Sequence, residues 1–200
     1  ERGAHNINLV TPTHFVPQIR KAIIKAKEKG LVLPIVYNTG SYENVDTLKM
    51  LDGLVDIYLP DLKYYSSELS KKYSEAHNYF EVATAAIAEM VRQVGTPEFD
   101  EDGIMTKGVI VRHLLLPGCI EDSKKIIKYL YDTYGDDIYV SIMNQYTPMK
   151  GIEERYPELA NKVSYSEYDR LTDYAIDIGI ENGFIQEGDT AEESFIPDFD

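Results

Sequence analysis

Two pairs of residues in this sequence have types and spacing suited to chemistry. Asp61 and Lys63 stand two apart in "YLPDLKYY". If a strand runs through them, both side chains leave the same face. An aspartate there accepts hydrogen bonds from a ligand's hydroxyls, and a lysine beside it favours the charged carboxylate. The plainer alternative is a strand-end ion pair, which contributes little when exposed. Arg112 and His113 are adjacent in "VIVRHLLLPGC" (109–119), an otherwise apolar run. Neighbours in a strand point to opposite faces, so at least one of the two enters a strand that reads as buried on both sides. A guanidinium there needs an anion, either a ligand carboxylate met by its fork or an internal acid such as Asp61. His113 is either a proton shuttle or a hydrogen-bonded core histidine.

Other chemistry-bearing residues are scattered. His5, His14 and His77 show no metal-ligand spacing with His113 or with the single cysteine, Cys119. Cys119 follows "LPG" at a turn without an adjacent base and reads as a passive thiol. No glycine-rich dinucleotide fingerprint or Walker A loop is present. Four tyrosines cluster in "KYYSSELSKKYSEAHNYF" (63–80), on a core edge or on a protein-contact or substrate-facing surface.

The elements that must position these residues alternate in type. Strand-like runs fall at 6–10, 33–38, 55–61, 108–116, 137–144 and 183–186. Helical periodicity falls at 15–29, 79–94, 122–134 and 166–178, the last preceded by the capping box Ser164-x-x-Glu167. The polar segment 95–107, with Thr-Pro and Asp-Gly turn signals, suits a small hairpin before the 108–116 strand. Alternation with buried strands predicts an α/β fold, a parallel sheet covered by helices. Chemistry in such folds sits beyond the C-terminal strand ends. Here those ends read "TPTHF", "NTGSY", "DLKYY", "PGCIEDS" and "NQYTPMK", polar groups around an apolar body.

Composition narrows the classes. The 200 residues suffice for one domain, and a hydrophobic fraction of 44% with 27% charged residues is ordinary for a globular chain. A net charge of −14 argues against nucleic acid and anionic membranes as partners. No apolar run is long enough to span a bilayer, and no basic-then-apolar leader stands at the N-terminus. One cysteine fits a reducing, cytoplasmic setting. The domain is expected over 1–187, with 188–200 as an acidic C-terminal segment.

Taken in order, the strand ends resemble those of glycyl-radical-enzyme activating proteins of the radical S-adenosylmethionine (SAM) superfamily. "VDIYLPDLKYYSSELSKKYS" resembles their D-L-K strand, and "GVIVRHLLLPGCIEDSKKI" the next strand, with R-x-x-x-x-P-G followed by acids and a helix. "PIVYNTGSY" is similar to their strand ending in T-N-G, "NINLVTPTHFVPQI" to the one ending in G-G-E-P, and "YVSIMNQYTP" to their final strand. The match runs over about 3–187 and is nearest to uncharacterised iron–sulfur proteins homologous to pyruvate formate-lyase activating enzyme. It implies a partial (β/α)6 TIM-like barrel of parallel strands whose first strand is missing here. It also implies SAM, cleaved reductively on a [4Fe–4S] cluster to a radical that abstracts hydrogen, often from a protein substrate. By position, Arg112 would meet the SAM carboxylate, and Asp61 and Lys63 the ribose or the cluster side. Asn38 and Thr39 would line the same mouth, with His113 beside Arg112. Asn144 and Tyr146 would lie near the adenine.

Two departures change the expectation. The cluster motif C-x-x-x-C-x-x-C is absent, and one cysteine cannot supply the thiolates such a cluster needs. The cluster is therefore expected in a full-length parent, and this chain alone is expected to be inactive. "VTPT" replaces G-G-E-P, so Thr11 and Thr13 offer carbonyls and hydroxyls where the family has an acid. Two other readings stand beside this one. One is a cluster-less barrel that binds a small anionic metabolite or a protein partner. The other is a different barrel enzyme using Asp61, Lys63 and His113 as acid–base groups. An uncovered edge at "NINLV" would invite dimerisation through the sheet.

Overall fold

The structure, a computed structural model, describes residues 3–185. Six parallel strands alternate with helices: β1 (Ile7–Val10), α1 (Val16–Glu28), β2 (Ile35–Thr39), α2 (Val45–Lys49), β3 (Ile57–Pro60), α3 (Ser67–Ser74) and α4 (Tyr79–Val94) come first. They are followed by β4 (Glu98–Phe99), β5 (Met105–Leu114), α5 (Ile120–Tyr134), β6 (Tyr139–Met143), α6 (Ile152–Arg155), α7 (Tyr165–Asp177) and β7 (Gly183–Ile185). The sheet order is β1-β2-β3-β5-β6-β7, with β1 and β7 at the two edges. This is a partial TIM-like barrel that does not close. The edge expected to pair with another chain is β1. The expected acidic segment 188–200 lies outside the described residues.

All six expected strands and all four expected helices are present, within about three residues of the expected bounds. The expected hairpin is β4 paired antiparallel with the start of β5, its turn held by Asp100 Oδ1 accepting from Asp102 and Ile104 N–H. Three short helices add to the sequence reading. Asn44 caps α2 through Asp46 and Thr47 N–H, and Ser66 caps α3 through Glu68 N–H. The short α6 has no side-chain cap. The expected capping box of α7 forms as Ser164–Glu167.

Strand alternation divides the molecule into two faces. Tyr37, Tyr58, Val109, Val111, Val140 and Ile142 point outward and form the main core with Ile87, Met90, Ile126, Ile127 and Leu130 of the helices. The inward face has apolar Val36 and Ile57 at its floor, in register with each other and with Gly108. One row further along, Asn38, Leu59, Ile110 and Tyr139 face in, and beyond them Asp61, Arg112 and Ser141. Parallel strands set side by side carry such rows straight across a sheet. The polar row thus lies at the C-terminal mouth.

Candidate functional site

Arg112 and Asp61 meet at that mouth. Their backbones form an isolated parallel bridge beyond the end of β3. Arg112 Nη2 donates to Asp61 Oδ1 at 2.5 Å and to Asn38 Oδ1 at 2.7 Å. Lys63 Nζ stands 3.6 Å from the other Asp61 oxygen, so Asp61 and Lys63 do share a face. The anion that Arg112 meets within the fold is therefore Asp61. Its fork is not fully used, because the buried Nε has no partner among the described residues. Side-chain exposures of 26% for Arg112 and 16% for Asp61 leave the pair partly wet, so its charges are only partly desolvated.

His113 serves the same strand end from the opposite face. It is buried, its Nδ1 lies 2.8 Å from Leu62 O and its Nε2 2.8 Å from Ser123 Oγ on α5. A carbonyl only accepts, so Nδ1 carries the proton and Nε2 accepts from the serine. Burial lowers its pKa and keeps it neutral. Of the two readings of His113, the geometry matches the hydrogen-bonded core histidine. It does not stand with Arg112 in the mouth, because adjacent residues of a strand face apart.

The backbone of 61–66 is tied down at five of its N–H groups. Asp61 N–H donates to Thr39 O, and Leu62 N–H to Arg112 O. The Tyr79 hydroxyl accepts from Lys63 N–H at 3.1 Å and shares its proton between Asp61 O and Gly40 O. Asp122, in the first turn of α5, accepts from Tyr65 and Ser66 N–H, both at 2.9 Å. None of Tyr79, Asp122 or Ser123 was singled out from the sequence. Asp122 left a signal there among the acids after Pro-Gly, and Tyr79 as one of the four tyrosines clustered in 63–80.

The other expected residues divide between the two faces. Asn38 is in the mouth with Arg112. Thr39 is buried on the helix side, donating to Glu43 Oε1 at 2.6 Å. Thr13 donates to the same oxygen at 2.7 Å and Tyr37 at 3.1 Å, while Glu43 Oε2 has no partner among the described residues. Glu43 thus brings a buried carboxylate against the turn that lacks an acid of its own. Thr11 and Ser41, just past β1 and β2, hold positive φ angles of 50° and 65°, which non-glycine residues adopt at some cost.

Tyr146 lines a cavity of about 420 Å³ on the β5–β6 side of the mouth. Its floor is Leu114, Leu116 and Met143, and its walls include Tyr64, Tyr73, Tyr156 and Met149. The hydroxyls of the four tyrosines are all engaged by the protein, with Ser74, Glu158, Lys72 O and Leu159 O. The rings are therefore held in place around the cavity. Such a lining takes a flat, largely apolar group. Asn144, also expected near this side, precedes the cavity residues Gln145–Thr147 in the same loop. A more open cleft of about 480 Å³ lies between residues 42–45 and α4.

Comparison with known proteins sets this geometry in context. Among solved structures, a domain of pyruvate-formate lyase-activating enzyme from Bacteroides vulgatus matches 92% of this chain and 100% of its own length with a TM-score of 0.65. The two share a fold. Their sequences are 12% identical, so the likeness is one of architecture. An uncharacterized protein of Methanocaldococcus jannaschii is 27% identical over 173 residues. That stretch is 85% of this chain and 46% of the relative, so the chain spans about half the length of the curated relative it matches. No family model matches. In this partial barrel the Arg112–Asp61–Lys63 group and the tyrosine-lined cavity are neighbours on one mouth.

Two features bound what the site holds. Among the described residues no group of three or more His, Cys, Asp or Glu side chains is arranged to hold a metal ion. Cys119 is half-buried, and burial pushes its thiol up to about 11, away from a ligating thiolate. No helix among the described residues is long and apolar enough to cross a membrane.

Proposed function

We propose that this chain is the SAM-binding part of a radical SAM enzyme of the activating-enzyme type. The observation that carries this reading is the unpartnered, buried Nε of Arg112 in a ring of polar side chains next to a tyrosine-lined cavity. The parts fit SAM chemically. Arg112, whose side chain is 26% exposed, holds the carboxylate through its fork, beside the bonds it makes to Asp61 and Asn38. Asp61 accepts from ribose hydroxyls, with Lys63 beside it and Asn38 steadying Arg112. By position Thr11 offers its carbonyl toward the amine, while the Thr13 hydroxyl is engaged by Glu43. The rings around Tyr146 exclude water from the adenine, with Asn144 at the rim. Bound SAM supplies one-electron hydrogen abstraction in enzymes of this type. The residues of this chain bind and orient it.

A [4Fe–4S] cluster does not fit these residues, for want of thiolates. The cluster belongs on the remainder of a longer parent, and activity on a protein substrate belongs to that parent as well. The chain is read as cytoplasmic from its single cysteine, and as binding neither nucleic acid nor an anionic membrane from its charge of −14. The same lack of thiolates favours one second reading, a barrel that binds a small anionic metabolite at Arg112 without a cluster.

The test is calorimetric titration of SAM into the whole polypeptide as its gene encodes it, purified anaerobically. Saturable binding is expected, and Arg112→Ala should weaken it by about 10- to 100-fold, the worth of a charge-assisted hydrogen bond. Absence of SAM binding, with iron present, would remove the proposal. Binding that methionine-type carboxylates match without the adenosyl group would leave the second reading in its place.

A further inference from the structure

We infer that Tyr79 is a positioning residue for Asp61 and Lys63, a role that rests on the SAM-site reading above. The strand hydrogen bonding that fixes Asp61 stops at Leu62. Lys63 N–H has no strand neighbour to bond, and its acceptor is the Tyr79 hydroxyl. That hydroxyl also reaches Asp61 O at 3.0 Å and Gly40 O at 3.1 Å. One atom thereby joins the ends of β2 and β3 at the two residues flanking Leu62. Leu62 itself is held behind by His113 through its carbonyl. The spacing that lets Lys63 Nζ approach Asp61 is set by this backbone, since both side chains hang from it.

The ring of Tyr79 is as constrained as its hydroxyl. Tyr79 is 4% exposed, stacks on Tyr42 at 6.2 Å and meets the edge of Tyr64 at 5.4 Å. Tyr64 in turn walls the cavity. Tyr79 therefore touches the supports of both halves of the mouth while its own side chain touches neither the lumen carboxylate nor the ammonium. Burial raises its pKa far above the usual phenol range, so it remains a hydroxyl that both donates and accepts.

The test compares Tyr79→Phe with Tyr42→Phe in the whole polypeptide. The first keeps the ring and removes the hub. The second removes a hydroxyl from the same stack whose bond runs to Asn78 instead. Amide hydrogen exchange at Lys63 should quicken at least tenfold in Tyr79→Phe and stay unchanged in Tyr42→Phe. The SAM dissociation constant should rise about tenfold in Tyr79→Phe alone. In an Asp61→Asn/Lys63→Ala background the Tyr79→Phe penalty should vanish, because a residue acting through that pair has nothing left to position. Unchanged exchange at Lys63, or an equal affinity loss in both backgrounds, overturns the inference. If the unaltered protein takes up no SAM, the reading of the site fails, and the exchange comparison by itself decides whether Tyr79 fixes the backbone.

Discussion

The two halves of the mouth are built differently. The polar half, on β2, β3 and β5, is fixed from behind by the buried His113 on Leu62 O and Tyr79 on Lys63 N–H, and by the half-buried Asp122 on Tyr65 and Ser66 N–H. The apolar half, on β5 and β6, is completed by the segment 144–163, which contributes seven of the cavity-lining residues, Gln145, Tyr146, Thr147, Met149, Ile152, Tyr156 and Leu159. That segment is joined to α3 by surface contacts: Tyr73 and Lys72 with Glu158, Tyr156 with Lys72 O, and Arg155 with Glu75. The bond from Lys72, joined by that from Tyr73, holds the Glu158 carboxyl at about 2, well below the usual range. Yet these contacts are exposed and screened by water and salt. The polar half is thus preorganised, whereas the wall of the cavity is fastened by contacts that open at lower free energy.

This contrast can be broken from either side. The largest loss is expected from Asp61→Ala, which leaves Arg112 partly buried without its carboxylate. It should cost about 2–3 kcal/mol in urea denaturation, below the full cost of breaking a dry pair because both partners keep some water contact. Asp122→Ala strands two backbone N–H groups and should cost about 1–2 kcal/mol by the same measurement, with exchange quickening at Tyr65 and Ser66.

His113 sharpens the comparison through pH. Its folded pKa is depressed by burial, so the unfolded chain binds the extra proton first. The stability it supports is fully present above the unfolded value of about 6.5 and declines as pH falls below it. Urea midpoints taken from pH 7.5 down to pH 5 should fall more steeply for the unaltered protein than for His113→Gln, and parallel curves would contradict this. The smallest effect is expected from Glu158→Gln. The unfolding midpoint should stay within error, while amides of 152–160 exchange faster. A cooperative loss of stability there would show that the two halves are equally fixed.

Much of the architecture was legible in the sequence. The strands carry near-continuous apolar runs and the long helices a 3.6-residue stripe, both short-range patterns set by which face is buried. The short helices α2, α3 and α6 left weaker signals, because four to eight residues carry little periodicity and owe their formation to caps and packing. Within the site, the pairing of Arg112 with Asp61 was named among the alternatives, since a guanidinium in an apolar strand requires an acid. The grouping of Thr39 and His113 with the mouth did not survive, because alternation put both on the helix side.

Sequence alone determined the alternation of strands and helices and the parallel sheet, and gave the shared face of Asp61 and Lys63 only on the condition that a strand ran through both. These follow from hydrophobic burial and the two-residue period of a strand. The tertiary structure decided which of Arg112 and His113 faces the lumen, since inward and outward are defined only once the helices cover one side. It also decided that Tyr79, His113 and Asp122, distant in sequence, converge on one six-residue segment. Such contacts depend on sheet register and helix packing, and no local pattern in the chain encodes them.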